Sequence, residues 1–197
     1  MSKNNRIYLP LLVTAILCIQ GCAGLIVGAG VGAASVAHDR RTMGTQIDDT
    51  TLASRISVAI AGNEAISHQA NVTIQVFNGV ALLVGQAPTQ TLIQQTEKLA
   101  MSVKNIRKLH NQIRLGSPIP ASVVASDTWL ASKVKTQLIA DKRIDGLHIE
   151  IEVENGEVFL MGLVSDKESR IAVDITRNIK GVKQVIKAFE YNTNHSI

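Results

Sequence analysis

The chain has 197 residues, 46% of them hydrophobic and 18% charged, with a formal net charge of +4. This composition excludes intrinsic disorder, two cysteines exclude a disulfide scaffold or a four-cysteine zinc site, and so small a charge does not by itself imply nucleic acid. The length admits one medium domain or two small ones.

The first segment differs from the rest. Lys3 and Arg6 precede an apolar run over residues 7–19, and no charged side chain appears from residue 7 to residue 36. The run is short for a bilayer span, which takes about 20 residues. A basic start, a short apolar middle and small residues ahead of a cut are the layout of a secretory signal. The run closes on Ile19-Gln20-Gly21-Cys22. A small residue followed by cysteine at that place resembles the bacterial lipobox. The resemblance implies cleavage after residue 21, acylation of Cys22 and anchoring by lipid. An ordinary signal or an uncut anchor is the alternative. Ala23 stands where lipoproteins kept at the inner membrane usually carry Asp, so the resemblance points to the outer membrane and its periplasmic face. Cys18 would leave with the signal and Cys22 would be blocked, which excludes thiol catalysis and thiolate metal ligation.

Residues 22–45 form a Gly/Ala-rich spacer. Gly28-Ala29-Gly30-Val31-Gly32 lacks the GxGxxG spacing of a nucleotide loop and the strand that should precede it. The expectation is a flexible or membrane-apposed spacer.

From there the chain is one unit written twice. Asp49-Thr50-Thr51-Leu52-Ala53-Ser54-Arg55-Ile56 recurs as Asp127-Thr128-Trp129-Leu130-Ala131-Ser132-Lys133-Val134. Leu83-Val84-Gly85 recurs as Leu160-Met161-Gly162, and Val103-Lys104-Asn105-Ile106 as Ile179-Lys180-Gly181-Val182. The copies span residues 46–115 and 124–192, with a stiff linker over 116–123 and a tail over 193–197. Each copy opens with a helix, marked in the second by Leu130, Val134 and Leu138 at four-residue spacing. Asp127 or Ser126 is the expected cap of that helix, and Asp48-Asp49 the expected cap of its counterpart. A strand follows, residues 148–154 in the second copy, with Ile149, Ile151 and Val153 alternating against Glu150, Glu152 and Glu154. The glutamates are expected on a solvated sheet face. Asn78-Gly79 and Asn155-Gly156 are type I′ hairpin signals leading to a second strand. A second helix starts at Ser165-Asp166-Lys167-Glu168, which has capping-box spacing; its apolar face is Ile171, Ile175 and Ile179. A third strand closes each copy.

The expected fold is α+β: two tandem α-β-β-α-β units, each a three-stranded mixed sheet covered on one face by two helices. Each copy lies near the lower limit for a self-sufficient core, so the two are expected to pack on each other.

The unit resembles the BON domain of bacterial envelope proteins. The likeness rests on the Asn-Gly hairpins, the Leu-Val-Gly and Leu-Met-Gly steps and Gly181-Val182, with Asn105 replacing the glycine in the first copy. Asp39, Arg41, Gly44-Thr45-Gln46, Asp48-Asp49, Leu52 and Asp127-Thr128-Trp129 extend it to the dual-BON outer-membrane lipoproteins. Arg40 departs from the pattern where a proline is expected. The resemblance implies a protein without enzymatic activity that binds anionic phospholipid through the second BON domain. It also implies support of envelope integrity, concentration at division sites and a link to outer-membrane protein assembly.

The residues suggest where lipid would be met. Trp129 stands where the first copy has Thr51, so the fold does not demand an indole there. It lies about 100° around the helix from Leu130, with Lys133 one turn on. Lys135 and Thr136 are placed with them as candidate phospholipid-binding residues, since an indole suits a headgroup boundary and each lysine near an anionic surface adds roughly 1 kcal/mol. Two readings stay open for Trp129: membrane contact, or packing between the copies. A protein-binding adaptor for the outer-membrane assembly machinery, with Trp129 as a hot spot, is the rival function. The five histidines form no HExxH motif or close ligand pair, and there is no GxSxG or Walker loop. No cofactor, metal, catalytic residue, small-molecule substrate or nucleic acid is expected.

Overall fold

The computed structural model describes residues 41–192, which fall within one compact unit. The signal, Cys22, the spacer up to residue 40 and the tail lie outside the described residues.

The first copy begins with helix α1 (Met43–Ala61) and a short helix α2 (Glu64–Gln69). Strands β1 (Asn71–Phe77) and β2 (Val80–Ala87), helix α3 (Gln90–Met101) and strand β3 (Lys108–Leu115) follow. The second copy repeats the order: α4 (Ala121–Ala140), β4 (Glu150–Glu154), β5 (Glu157–Val164), α5 (Asp166–Arg177) and β6 (Gln184–Tyr191). A 3₁₀ turn, Gly146–His148, replaces α2 there. The expected α-β-β-α-β order includes neither α2 nor this turn: both are a turn or two of helix in segments with no apolar period of their own.

Each hairpin is antiparallel, and each second strand pairs in parallel with the third, so both sheets are mixed. The turn angles bear out the type I′ expectation, with φ of 51° and 74° at Asn78 and Gly79, and 51° and 76° at Asn155 and Gly156. The paired Leu-x-Gly steps have a steric cause. A Cβ on Gly85 would sit 1.9 Å from the Asn71 carbonyl oxygen, and one on Gly162 would sit 2.8 Å from that of His148. Ser165 and Glu168 form the expected capping box of α5. The buried face of α5 is centred on Ala172 and Thr176; Ile171 and Ile175 flank it, partly buried.

β2 is buried at every position because it serves two cores. Ala81 and Leu83 face Leu52, Ile56 and Leu92 of the helices. The alternate residues, Val80, Leu82 and Val84, join Phe77 and meet Phe159, Met161 and Ala188 of the second copy. β5 alternates likewise, with Val158 and Leu160 beneath Leu130, Val134 and Leu138. The layers therefore run helix, sheet, sheet, helix, and the copies share a dry core between their sheets.

Polar contacts ring that core with one polarity. Gln75 Nε2 donates to Glu152 (3.0 Å), Gln86 Nε2 to Glu154 (2.6 Å), and Arg114 pairs with Glu157 (2.9 Å). Arg107 pairs with Glu190 (3.0 Å), and the Asn78 amide donates to the same carboxylate. The first copy supplies each of these donors and the second each acceptor. This corrects the expectation of a solvated glutamate face. Glu154 is 8% exposed and Glu152 partly buried; Glu150 alone of the three is exposed. An alternating strand announces two faces, but not that the polar one is covered by another sheet.

Candidate functional site

α4 begins at Ala121, immediately after Pro120, whose φ of −69° suits a helix start. Asp127 and Ser126 therefore lie inside the helix and do not cap it, and α1 likewise starts from Thr42, whose hydroxyl accepts from the Thr45 amide. The aspartates have another task. Asp127 accepts the Asn155 and Gly156 amide N–H groups at 2.6 and 2.9 Å. Asp49 takes those of Asn78 and Gly79 at 2.6 and 2.8 Å. Two backbone donors of each type I′ turn are thus satisfied by a buried helical carboxylate. Arg41 pairs with Asp49 at 2.8 Å, lies 3.9 Å from the centre of the Phe77 ring and reaches Glu150 at 3.6 Å.

The clamp fixes the hairpin tip against the first helix, and Lys183 N–H donates to the Gly156 carbonyl at 2.8 Å, drawing the turn after α5 alongside. Helix, hairpin tip and turn enclose a groove of about 580 Å³. Val123, Ala125 and Leu130 supply apolar lining, Trp129 an indole, Lys180 and Lys183 the cations, and Asp127 the clamp carboxylate. Lys183 donates to Asn155 Oδ1 at 2.9 Å, a neutral partner. Among the described residues no carboxylate pairs with Lys133, Lys180 or Lys183.

Trp129 is 64% exposed, so it is not packed between the copies. Lys133 Nζ lies 5.1 Å from the centre of its ring, within cation–π range. Thr136 is exposed two turns along the same face, and its hydroxyl donates to the Ser132 carbonyl. Thr128 and Ser132 bond back along the helix in the same way. The exposed face of α4 thus combines Trp129, Val124 and Ile139 with hydroxyls already satisfied internally. Such a face leaves water at small cost, because none of those hydroxyls loses its acceptor.

Lys135 is not brought to this face. Its ammonium donates to the Gly146, Leu147 and Ile149 carbonyls at 3.2, 3.3 and 2.7 Å, tying α4 to the loop before β4. Burial pushes its pKa below the ordinary lysine value, against the raising fields of Glu150 and Asp145. At 100° per residue Lys133 and Lys135 fall on opposite flanks of the helix, which nearness in sequence conceals. Sequence reasoning missed Lys180 and Lys183 because they lie far along the chain from Trp129. A signal for them existed: Lys104 and Arg107 hold the matching places in the first copy.

The first copy builds the same groove, about 470 Å³, from matching positions. Thr51 replaces Trp129, Asp48 replaces Ser126, Arg55 replaces Lys133 and Arg107 replaces Lys183. Asn105 holds a φ of 75° where the second copy has Gly181.

No helix among the described residues is long and apolar enough to cross a membrane, and no cluster there is arranged to hold a metal ion.

The family model described as BON domain matches residues 48–117 and 126–193. The "Outer membrane lipoprotein DolP" of Haemophilus influenzae is 36% identical over 183 residues, covering 93% of this chain and 95% of that protein. A "21 kDa hemolysin" of Actinobacillus pleuropneumoniae is 32% identical, covering 78% and 79%. The "Osmotically-inducible protein Y" of Escherichia coli K12 is 25% identical, covering 73% and 72%.

Proposed function

Because this chain belongs to the BON-domain family, with two such domains in tandem, we propose that it binds anionic phospholipid through the Trp129 groove of its second domain. It is an outer-membrane lipoprotein like its Haemophilus relative, and Cys22 is the residue that would carry the lipid. The observation that supports lipid binding best is the exposed indole lining a mainly apolar groove that Lys180 and Lys183 line as well. An indole settles at the headgroup boundary. Ammonium groups lining the same groove meet the phosphates, while the satisfied hydroxyls of α4 allow the face to shed water. Lys133 stands over the ring. Held at the membrane in this way, the protein supports envelope integrity, with division sites as one place of action.

Trp129 is the chain's single tryptophan, so its emission reports directly. The chain from residue 23 onward, mixed with phosphatidylglycerol vesicles, should show a blue shift absent with phosphatidylcholine. Trp129→Glu should abolish sedimentation with the vesicles while leaving the melting temperature unchanged. Absence of a shift, together with a crosslink from position 129 to an envelope protein, would replace this reading with that of an adaptor for outer-membrane protein assembly.

A further inference from the structure

The fold builds its groove twice from matching positions, yet the two differ in charge. In the second domain the groove is lined by Lys180, Lys183 and Ser126, beside the clamp carboxylate of Asp127. In the first domain Asp48 takes the place of Ser126. The cation beside the hairpin tip also differs in its company. Lys183 has the neutral Asn155 oxygen, whereas Arg107 has the Glu190 carboxylate at 3.0 Å, delivered by β6 of the second domain. Glu190 also receives the Asn78 amide, fastening the first domain's hairpin tip. Each groove already has its clamp carboxylate, Asp49 or Asp127; docking of the two domains sets a further one, Glu190, against the cation of the first groove, and among the described residues no carboxylate pairs with its counterpart Lys183.

We infer that Asp48 and Glu190 are specificity-determining residues: they exclude anionic headgroups from the first domain's groove and so confine phospholipid binding to the second domain. This rests on the function proposed above. The exclusion is electrostatic. A phosphate arriving at Arg107 meets a guanidinium already neutralised and an exposed carboxylate, Asp48, across the groove. Shape is not the barrier, since the same hairpin, clamp aspartate and post-helix turn frame both grooves. Nor is the missing indole the whole difference, because Arg55 and Arg107 would otherwise offer a phosphate two guanidinium groups.

The two contributions separate by moving the indole. Two chains from residue 23 onward are compared on vesicles of pure phosphatidylglycerol and pure phosphatidylcholine. One carries Thr51→Trp and Trp129→Glu; the other adds Asp48→Ser and Glu190→Gln. The first should stay in the supernatant. The second should bind phosphatidylglycerol about thirtyfold more strongly than the first, the effect of two charges near an anionic surface. Emission from its relocated indole, the only one in that chain, should shift to the blue. Glu190→Gln keeps an oxygen for Asn78, and the melting temperature checks that the domains remain docked. Asp48 is exposed, so Asp48→Ser alone in the Thr51→Trp, Trp129→Glu chain supplies an arm with no folding risk and should give a part of the gain. The inference falls if the first chain binds as well as the wild type, or if neither carboxylate replacement raises binding while the wild type binds. A wild type that does not bind phosphatidylglycerol removes the proposed function and this inference with it.

Discussion

Lys135 shows how far a single residue's meaning depends on what faces it. Two positions from Lys133, it satisfies three loop carbonyls where its neighbour flanks an indole. Lys135→Met should cost about 2 kcal/mol in urea unfolding, within the range for losing charge-assisted hydrogen bonds, and leave vesicle binding unchanged. The same replacement at Lys133 should weaken binding and spare stability. Asp49 and Asp127 carry the same lesson. Their identity and recurrence were plain in the sequence, but Asp before an apolar helical run reads as a cap. Their real partners, the amides of a turn 28 to 30 residues away, have no signature in local order. Trp129 was legible because its counterpart is threonine, so its own repeat served as the control.

At the scale of elements, periodicity placed most helices and strands, since each has one face toward a helix-covered core. It left open what covers the far side. β4 alternates as cleanly as a half-exposed strand should, yet its glutamates meet Gln75 and Gln86 of the other sheet. The consequence is a pH dependence. Burial raises the Glu154 carboxyl above the ordinary value, the Asp127 charge adds to this, and the Gln86 amide opposes it. Glu152 is raised in the same way, chiefly by burial, with Gln75 opposing. A carboxyl raised in the folded state binds its proton more tightly there than in the unfolded chain, so stability falls as pH rises. Their contribution is full below the unfolded value of about 4.3 and is lost as pH climbs through the raised folded values. Melting temperatures followed upward from about pH 4 to neutrality should therefore decline. The Glu152→Gln, Glu154→Gln double variant should flatten that slope.

The two copies are joined by a core that belongs to neither alone. Phe77, Val80, Leu82 and Val84 meet Phe159, Met161 and Ala188 between the sheets, and composition arithmetic on one copy could anticipate that contact but not its residues. Phe159, wholly buried, tests it. Phe159→Ala should destabilise the pair by about 3–5 kcal/mol, and unfolding should no longer be a single transition, the first domain parting from the second before either melts. One coincident transition by tryptophan emission and far-UV circular dichroism in that variant, at undiminished stability, would show that Phe159 does not carry the coupling between the sheets. The duplicated fold was legible because repetition is a property of the sequence, and the union of the copies because each is small for a core of its own; the faces that meet were not, because β2 and β5 read as apolar on both faces whatever lies opposite.

The ring of contacts around that shared core gives the duplication a direction. With amides and guanidinium groups on one half and carboxylates on the other, each domain recognises its unlike sibling. Two second domains set face to face would bring Glu152 and Glu154 against their own kind, with no glutamine or arginine to receive them. Copying alone would have left two interchangeable halves. Divergence at this seam has made them a lock and its key, written in order along one chain, so that many such chains crowded together on a membrane still pair each half with the right neighbour.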